Sequence, residues 1–198
     1  MWVAHPPSAL HWSLSSVPIS GYSRSSRYRS TIAPEFRCVW YRDRRIAGSR
    51  VVEDFRDLLA ELRRAEARFL VVGAHALAAH GVPRATVDLD VWIDPSPENA
   101  ARVWSALAAF GAPLDALMIT PADLTRPDTV AQFGLPPWRI DILTGISGVT
   151  FDEAWPDRME AYFDDVLVPF IGQDAFIRNK RASGRLKDLA DIEALGGE

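Results

Sequence analysis

Apolar positions along the chain change spacing several times, and each change marks an element. Val52, Phe55, Leu58, Leu59 and Leu62 recur every three or four residues, with Glu53, Asp57, Glu61, Arg63 and Arg64 between them. That period predicts an amphipathic helix from near Val51. Phe69-Leu70-Val71-Val72 is a short apolar run closed by Gly73, which predicts a buried strand. Ala74 to His80 is rich in small helix formers and is stopped by Gly81 and Pro83. From Val87 to Asp94 the period falls to two: Val87, Leu89, Val91 and Ile93 alternate with Asp88, Asp90, Trp92 and Asp94. Such alternation predicts a strand with one apolar face.

Pro97 and Gly111 bracket a further helix over 97–110, each at the end it favours. The Pro-interrupted stretch 112–128 reads as loop with one short helical turn. Thr129–Phe133 and Arg139–Leu143 read as strands, the second with Ile140 and Ile142 on one side and Asp141 on the other. Met159–Phe163 and Val166–Ile171, separated by Asp164-Asp165, form a hairpin pattern. Asp174 to Leu195 is helical in pattern and bends at Gly184. There is no internal repeat. Helices and strands interleaved in this order predict a mixed α/β or α+β domain over residues 51–198.

Composition narrows the class. At 198 residues, with 48% hydrophobic and 24% charged residues, the chain can bury a real core, and fibrous or wholly disordered classes are excluded. No apolar stretch has the roughly 18–20 residues that a membrane-spanning helix needs, so no membrane partner is expected. The single cysteine, Cys38, excludes an internal disulfide framework and fits a reducing, cytoplasmic setting. Charge is split: residues 1–50 carry eight Arg and no Lys against Glu35 and Asp43, a net of +6, which leaves −10 for the rest. With Ser crowded between Ser13 and Ser30 and Pro6, Pro7, Pro18 and Pro34 interrupting it, this segment predicts a disordered tail. Its composition suits an organelle leader, a nucleic-acid contact through Arg with Tyr28, Trp40 and Tyr41, or an extension without function.

Asp88 and Asp90 carry the most chemical information. At i and i+2 of a strand they leave the same face, with Cα atoms roughly 6.5–7 Å apart. Two carboxylates at that separation repel by about 2–3 kcal/mol at an effective dielectric of 20. Leu89 and Val91, facing the core, offer no compensation, whereas a divalent ion bridging the oxygens would. Mg²⁺ suits such a pair, since it takes one or two carboxylates plus substrate phosphates. Two hydrated aspartates on a solvent-facing edge strand would explain the same pair. Context favours the metal: Gly73 lies between a strand and a helix, where backbone amides can hold a phosphate. Asp141, flanked by Ile140 and Ile142, also faces away from the core of its strand. Three carboxylates beside a strand-Gly-helix turn make a metal and phosphate site.

The run Val71-Val72-Gly73-Ala74-His75, continuing through Arg84-Ala85-Thr86-Val87-Asp88-Leu89-Asp90-Val91-Trp92, resembles the signature of the nucleotidyltransferase superfamily. It is most similar to the small bacterial AbiEii-type proteins associated with toxin–antitoxin systems. Arg139-Ile140-Asp141-Ile142-Leu143 resembles the later strand that supplies a third acid, and Lys187-Asp188-Leu189-Ala190-Asp191 the group's C-terminal segment. The resemblance spans roughly residues 51–195. It implies a mixed sheet flanked by helices with a helical C-terminal segment. It also implies Mg²⁺-dependent transfer of a nucleoside monophosphate from an NTP to a hydroxyl of a protein or RNA, with a toxin–antitoxin partner protein. Asp88, Asp90 and Asp141 would be the metal ligands and catalytic groups, and Gly73 with the amide of Ala74 would hold the triphosphate. Ala74 departs from the pattern, because a Ser often follows that glycine and could bond the phosphates.

Other candidates are less specific. Arg84 and Thr86 lead into the acidic strand and could touch phosphate or orient the loop. Lys180, Arg181, Arg185 and Lys187 form a basic cluster that could neutralise substrate phosphate, with Lys180 and Lys187 the foremost candidates, or could be a solvated helix face. Asp188 and Asp191 share a helix face and could pair with those cations. His75 and His80, five apart, lack the spacing of a helical zinc pair and read as packing or capping groups. Two rival functions remain open: a weak or inactive antitoxin or regulatory binding protein of the same fold, favoured by Ala74, and a metal-dependent nuclease, disfavoured by the strand-Gly-helix turn.

Overall fold

The computed structural model describes residues 49–134 and 137–196. The predicted Arg/Ser-rich tail therefore lies outside the described residues, apart from its last two positions, which begin helix α1, Ser49–Arg64. The basic last turn of α1, Arg63 and Arg64, complements the negative end of the helix dipole. Phe55, Leu58, Leu59 and Leu62 form its buried stripe. Strand β1, Phe69–Val71, is fully buried, and helix α2, Gly73–Ala79, follows it directly. Strand β2, Asp88–Ile93, then alternates as its sequence implies, with Leu89, Val91 and Ile93 at 0% exposure.

Helix α3, Pro97–Phe110, has Pro at its start and ends on Gly111 in the left-handed region, φ 86°. A 3₁₀ turn, Asp123–Thr125, is the one helical turn expected in the following loop. Strands β3, Val130–Phe133, and β4, Arg139–Leu143, come next. A short helix α4, Phe151–Ala154, was not anticipated from apolar spacing. It is set by a capping box in which Thr150 and Glu153 each satisfy the other's backbone N–H. The hairpin β5, Met159–Phe163, and β6, Val166–Phe170, closes the sheet. The C-terminal helical pattern resolves into two helices, α5, Gln173–Ser183, and α6, Leu186–Ala194, parted at Gly184 with φ 63°.

The six strands form one mixed sheet in the order β3-β4-β2-β1-β6-β5. β2 sits between β1, antiparallel to it, and β4, parallel to it. Helices α1 and α3 pack together, α2 lies against β2, and α5 packs on α6. This is the mixed α+β domain, a sheet flanked by helices with a helical C-terminus, that the pattern implies. One detail differs: Trp92, on the aspartate side of β2, is buried beneath Phe151 in an edge-to-face contact. That face is thus covered at one end, with Asp88 and Asp90 only partly buried toward the other. Among the described residues no helix is long and apolar enough to cross a membrane.

Candidate active site

The parallel pairing of β2 with β4 decides the geometry of the site. Asp90 is the register partner of Asp141, and Asp88 is the partner of Arg139. Laterally paired residues of a sheet share a face, so Asp88, Asp90, Arg139 and Asp141 project together, opposite Leu89, Val91, Ile140 and Ile142. Gln132, the partner of Asp141 on β3, joins the same face. The three acids of the sequence signature are therefore brought side by side.

Each acid meets different company. The Arg139 guanidinium forks onto Asp88, Nε to Oδ1 at 3.1 Å and Nη2 to Oδ2 at 2.9 Å. This corrects one step of the sequence argument: a cation does stand opposite the aspartate pair, supplied by the neighbouring strand. Gln132 Nε2 donates to Asp141 Oδ1 at 2.9 Å. Burial raises the pKa of Asp141, while the Gln132 hydrogen bond and the charge of Arg139 act against the rise. Asp90 is pushed furthest, to about 6, by burial first and then by repulsion from Asp141 and Asp88. Lys180 and Lys187 are close enough to lower it partly.

Gly73 completes the carboxylate wall. Val72 N–H donates to Asp90 C=O at 3.0 Å, carrying the β1–β2 pairing up to the turn. Gly73 then takes φ 65°, where an L side chain is strained, and an added Cβ would collide with Asp90 Oδ2. Glycine is thus required both by the backbone and by the carboxylate lying against it. The next residue, Ala74, is buried and lies in the first turn of α2, whose first amides lack partners within the helix.

The remaining candidates divide. Thr86 Oγ1 accepts from Asp88 N–H at 3.2 Å and lies at the same distance from Asp88 C=O, so it orients the entry to β2. Arg84 reaches Asp191, Nε to Oδ1 at 3.2 Å, and ties the loop before β2 to α6. Lys180 is not a solvated cation: its side chain is 5% exposed, and Nζ bonds Asp188 at 2.7 Å and Asp191 at 2.9 Å. Arg185 also donates to Asp188, whose side chain is completely buried. Burial alone would raise the Asp188 pKa, but hydrogen bonds from Arg185 and Lys180 outweigh it and hold it below the usual carboxylate range. Lys187, in contrast, is exposed, and its charge acts on Asp90.

His75 sits edge-on between Phe55 and Phe163, and burial lowers its pKa. His80 Nε2 lies 2.8 Å from Ile171 C=O and packs by Phe176. Both are packing groups. Sequence reasoning missed Arg139 and Gln132; the available signal was Arg139 two positions before Asp141, on the same strand face.

Among the described residues no group of three or more His, Cys, Asp or Glu forms a ready metal cage. The donor chemistry nevertheless suits Mg²⁺: hard carboxylate oxygens crowded so that Asp90 resists ionisation. No family model matches the chain, and no curated protein does. A solved structure of a candidate nucleotidyltransferase from Thermotoga maritima superposes with a TM-score of 0.47 at 14% identity, over 77% of this chain and 94% of that one.

Proposed function

We propose that the chain is a Mg²⁺-dependent nucleotidyltransferase that moves a nucleoside monophosphate from an NTP to a hydroxyl of a protein or RNA acceptor. The observation that carries the reading is the lateral register of Asp90 with Asp141, beside Asp88 and against the Gly73 turn. Carboxylates crowded to the point that one of them titrates at about 6 are costly unless a cation is shared among them. Asp88, Asp90 and Asp141 would hold Mg²⁺, which when bound neutralises triphosphate charge and favours ionisation of the attacking hydroxyl. The backbone amides at Gly73 and Ala74 would receive the triphosphate, with Lys187 offering a further positive charge from α6. Asp141, at the β4 side of the group, would complete the site and help activate the attacking hydroxyl. Phosphoryl chemistry of this kind depends chiefly on positioning and charge neutralisation, which a rigid sheet supplies.

The resemblance to AbiEii-type proteins adds a toxin–antitoxin partner and a cytoplasmic setting to the proposal. Ala74 supports a second reading, a regulatory or antitoxin protein of the same fold with little turnover. The two separate in one assay. Full-length protein is incubated with Mg²⁺, each labelled NTP in turn and a lysate supplying protein and RNA acceptors. Incorporation that needs Mg²⁺ and falls at least about 100-fold in Asp90→Asn supports transfer. No incorporation with any of the four nucleotides, together with tight nucleotide-independent binding of a partner, supports the regulatory reading.

A further inference from the structure

Strand β5 ends the sheet, and among the described residues no strand pairs with its outer side. It pairs with β6 in unbroken register from Met159↔Phe170 to Phe163↔Val166. It lacks the proline, lysine and bulge by which sheet edges are usually closed to other chains. The two-residue turn Asp164-Asp165 closes on Phe163 and Val166, a pair of the hydrogen-bonded type. Met159, Ala161 and Phe163 therefore direct their backbone groups at β6, while the N–H and C=O of Glu160 and Tyr162 point outward. The side chains at those two positions are exposed, Tyr162 at 71% beside its 40% exposed register partner Leu167.

We propose that β5 is a homodimer interface, in which the same strand of a second copy pairs with it antiparallel about a two-fold axis at Ala161. Outward-facing residues must meet outward-facing residues, so the registers that overlap most of the strand have their axis at Glu160, Ala161 or Tyr162. An axis at Glu160 sets that acid against its own copy, and an axis at Tyr162 sets Glu160 against Asp164. About Ala161, Glu160 meets Tyr162 of the second copy and Arg158 meets Asp164, so no like charges face each other between 158 and 164. The next pair outward, Asp157 with Asp165, is like-charged but lies in turns beyond the strand, and Asp165 has Arg56 at 3.9 Å. On the opposite face Met159 and Phe163, packed at the margin of the core, meet the Phe163 and Met159 of the second copy and extend it. Paired strands keep their faces, so the two sheets become one and both acidic faces open to the same side. The inference stands apart from the reading of the acidic site.

The test is analytical ultracentrifugation of the full chain. An edge pairing of this length is at the low end of interface size, so a monomer–dimer equilibrium with a dissociation constant of about 10–100 μM is expected. Tyr162→Glu, at an exposed position, sets two Glu–Glu pairs across the axis and should weaken association about tenfold or more. Tyr162→Arg sets two ion pairs in the same places and should dimerise at least about tenfold more tightly than the Glu variant. Circular dichroism checks that each variant keeps the fold. A monomeric wild type, which leaves the edge to another segment or to a different protein, overturns the proposal. So does a dimer that responds alike to both substitutions.

Discussion

Two clusters of acids among the described residues are treated in opposite ways. Around Asp188 and Asp191 the acids are answered: Lys180 bonds both, Arg185 reaches Asp188 and Arg84 reaches Asp191. Asp188 is held ionised below its usual range. Around Asp90 the charges are not balanced: two more carboxylates crowd the same strand face, and Asp90 holds its proton up to about pH 6. Arg139 and Gln132 answer Asp88 and Asp141 but leave Asp90 without such a partner among the described residues. A protein can satisfy buried acids with its own cations, as α5 and α6 do. Where it leaves one unsatisfied beside a glycine turn, the proposed external cation would supply the balance.

The sharpest way to break this contrast is to disarm the satisfied cluster. Lys180→Met leaves Asp188 and Asp191 buried without their shared ammonium and should cost about 3–5 kcal/mol of stability. Urea unfolding at pH 7.5 reads it directly. A loss below about 1 kcal/mol would mean that the cluster is solvated and the contrast false.

At the unsatisfied site the same type of change should act the other way. Asp90 has a folded-state pKa raised from 3.8 to about 6, so the folded protein binds its proton more tightly than the unfolded chain does. The resulting penalty is fully present above about pH 6 and fades as pH falls toward 4. Asp90→Asn should therefore stabilise the metal-free protein at pH 7.5, by at most about 3 kcal/mol. The gain should vanish near pH 4, as a series of thermal melts from pH 4 to 8 would show. Asp188 has the opposite sign: its contribution is present above the unfolded pKa and is lost as pH falls through the lower folded value. A destabilised Asp90→Asn at pH 7.5 would remove the argument that this site lacks a cation.

How far this contrast is legible in the sequence depends on the reach of the interactions. Alternation along Val87–Asp94 places Asp88 and Asp90 on one face because the pleat is local. The glycine turn and the helix boundaries at Pro97, Gly111 and Gly184 are equally local signals and fall where they are read. Helix α4 also had its signal, Thr150 three residues before Glu153, but apolar periodicity cannot detect a four-residue helix. Strand order is different. That Asp90 aligns with Asp141, and Asp88 with Arg139, follows from a parallel pairing between segments 51 residues apart, which no periodicity specifies. The pairing of Asp188 and Asp191 with the nearby cations, left open by the sequence, is also settled at long range: lysines are almost always solvated, and the fold of α6 back onto α5 brings Lys180 to both acids.

A smaller effect probes the join between the acidic strand and the glycine turn. Gly73→Ala must hold a side chain at φ 65° and find room where Asp90 Oδ2 now lies. Backbone strain and the displaced carboxylate together should cost about 2 kcal/mol. In an Asp90→Ala background the second contribution disappears, so the cost of Gly73→Ala should fall to the strain alone, about 1 kcal/mol. A double-mutant cycle by urea unfolding measures the difference as a coupling energy. Coupling near zero would mean that Asp90 turns aside at no cost and that the turn and the carboxylates are separate features. Coupling of about 1 kcal/mol would mean that the turn proposed to meet a triphosphate and the acid proposed to hold its metal are held in place by one contact.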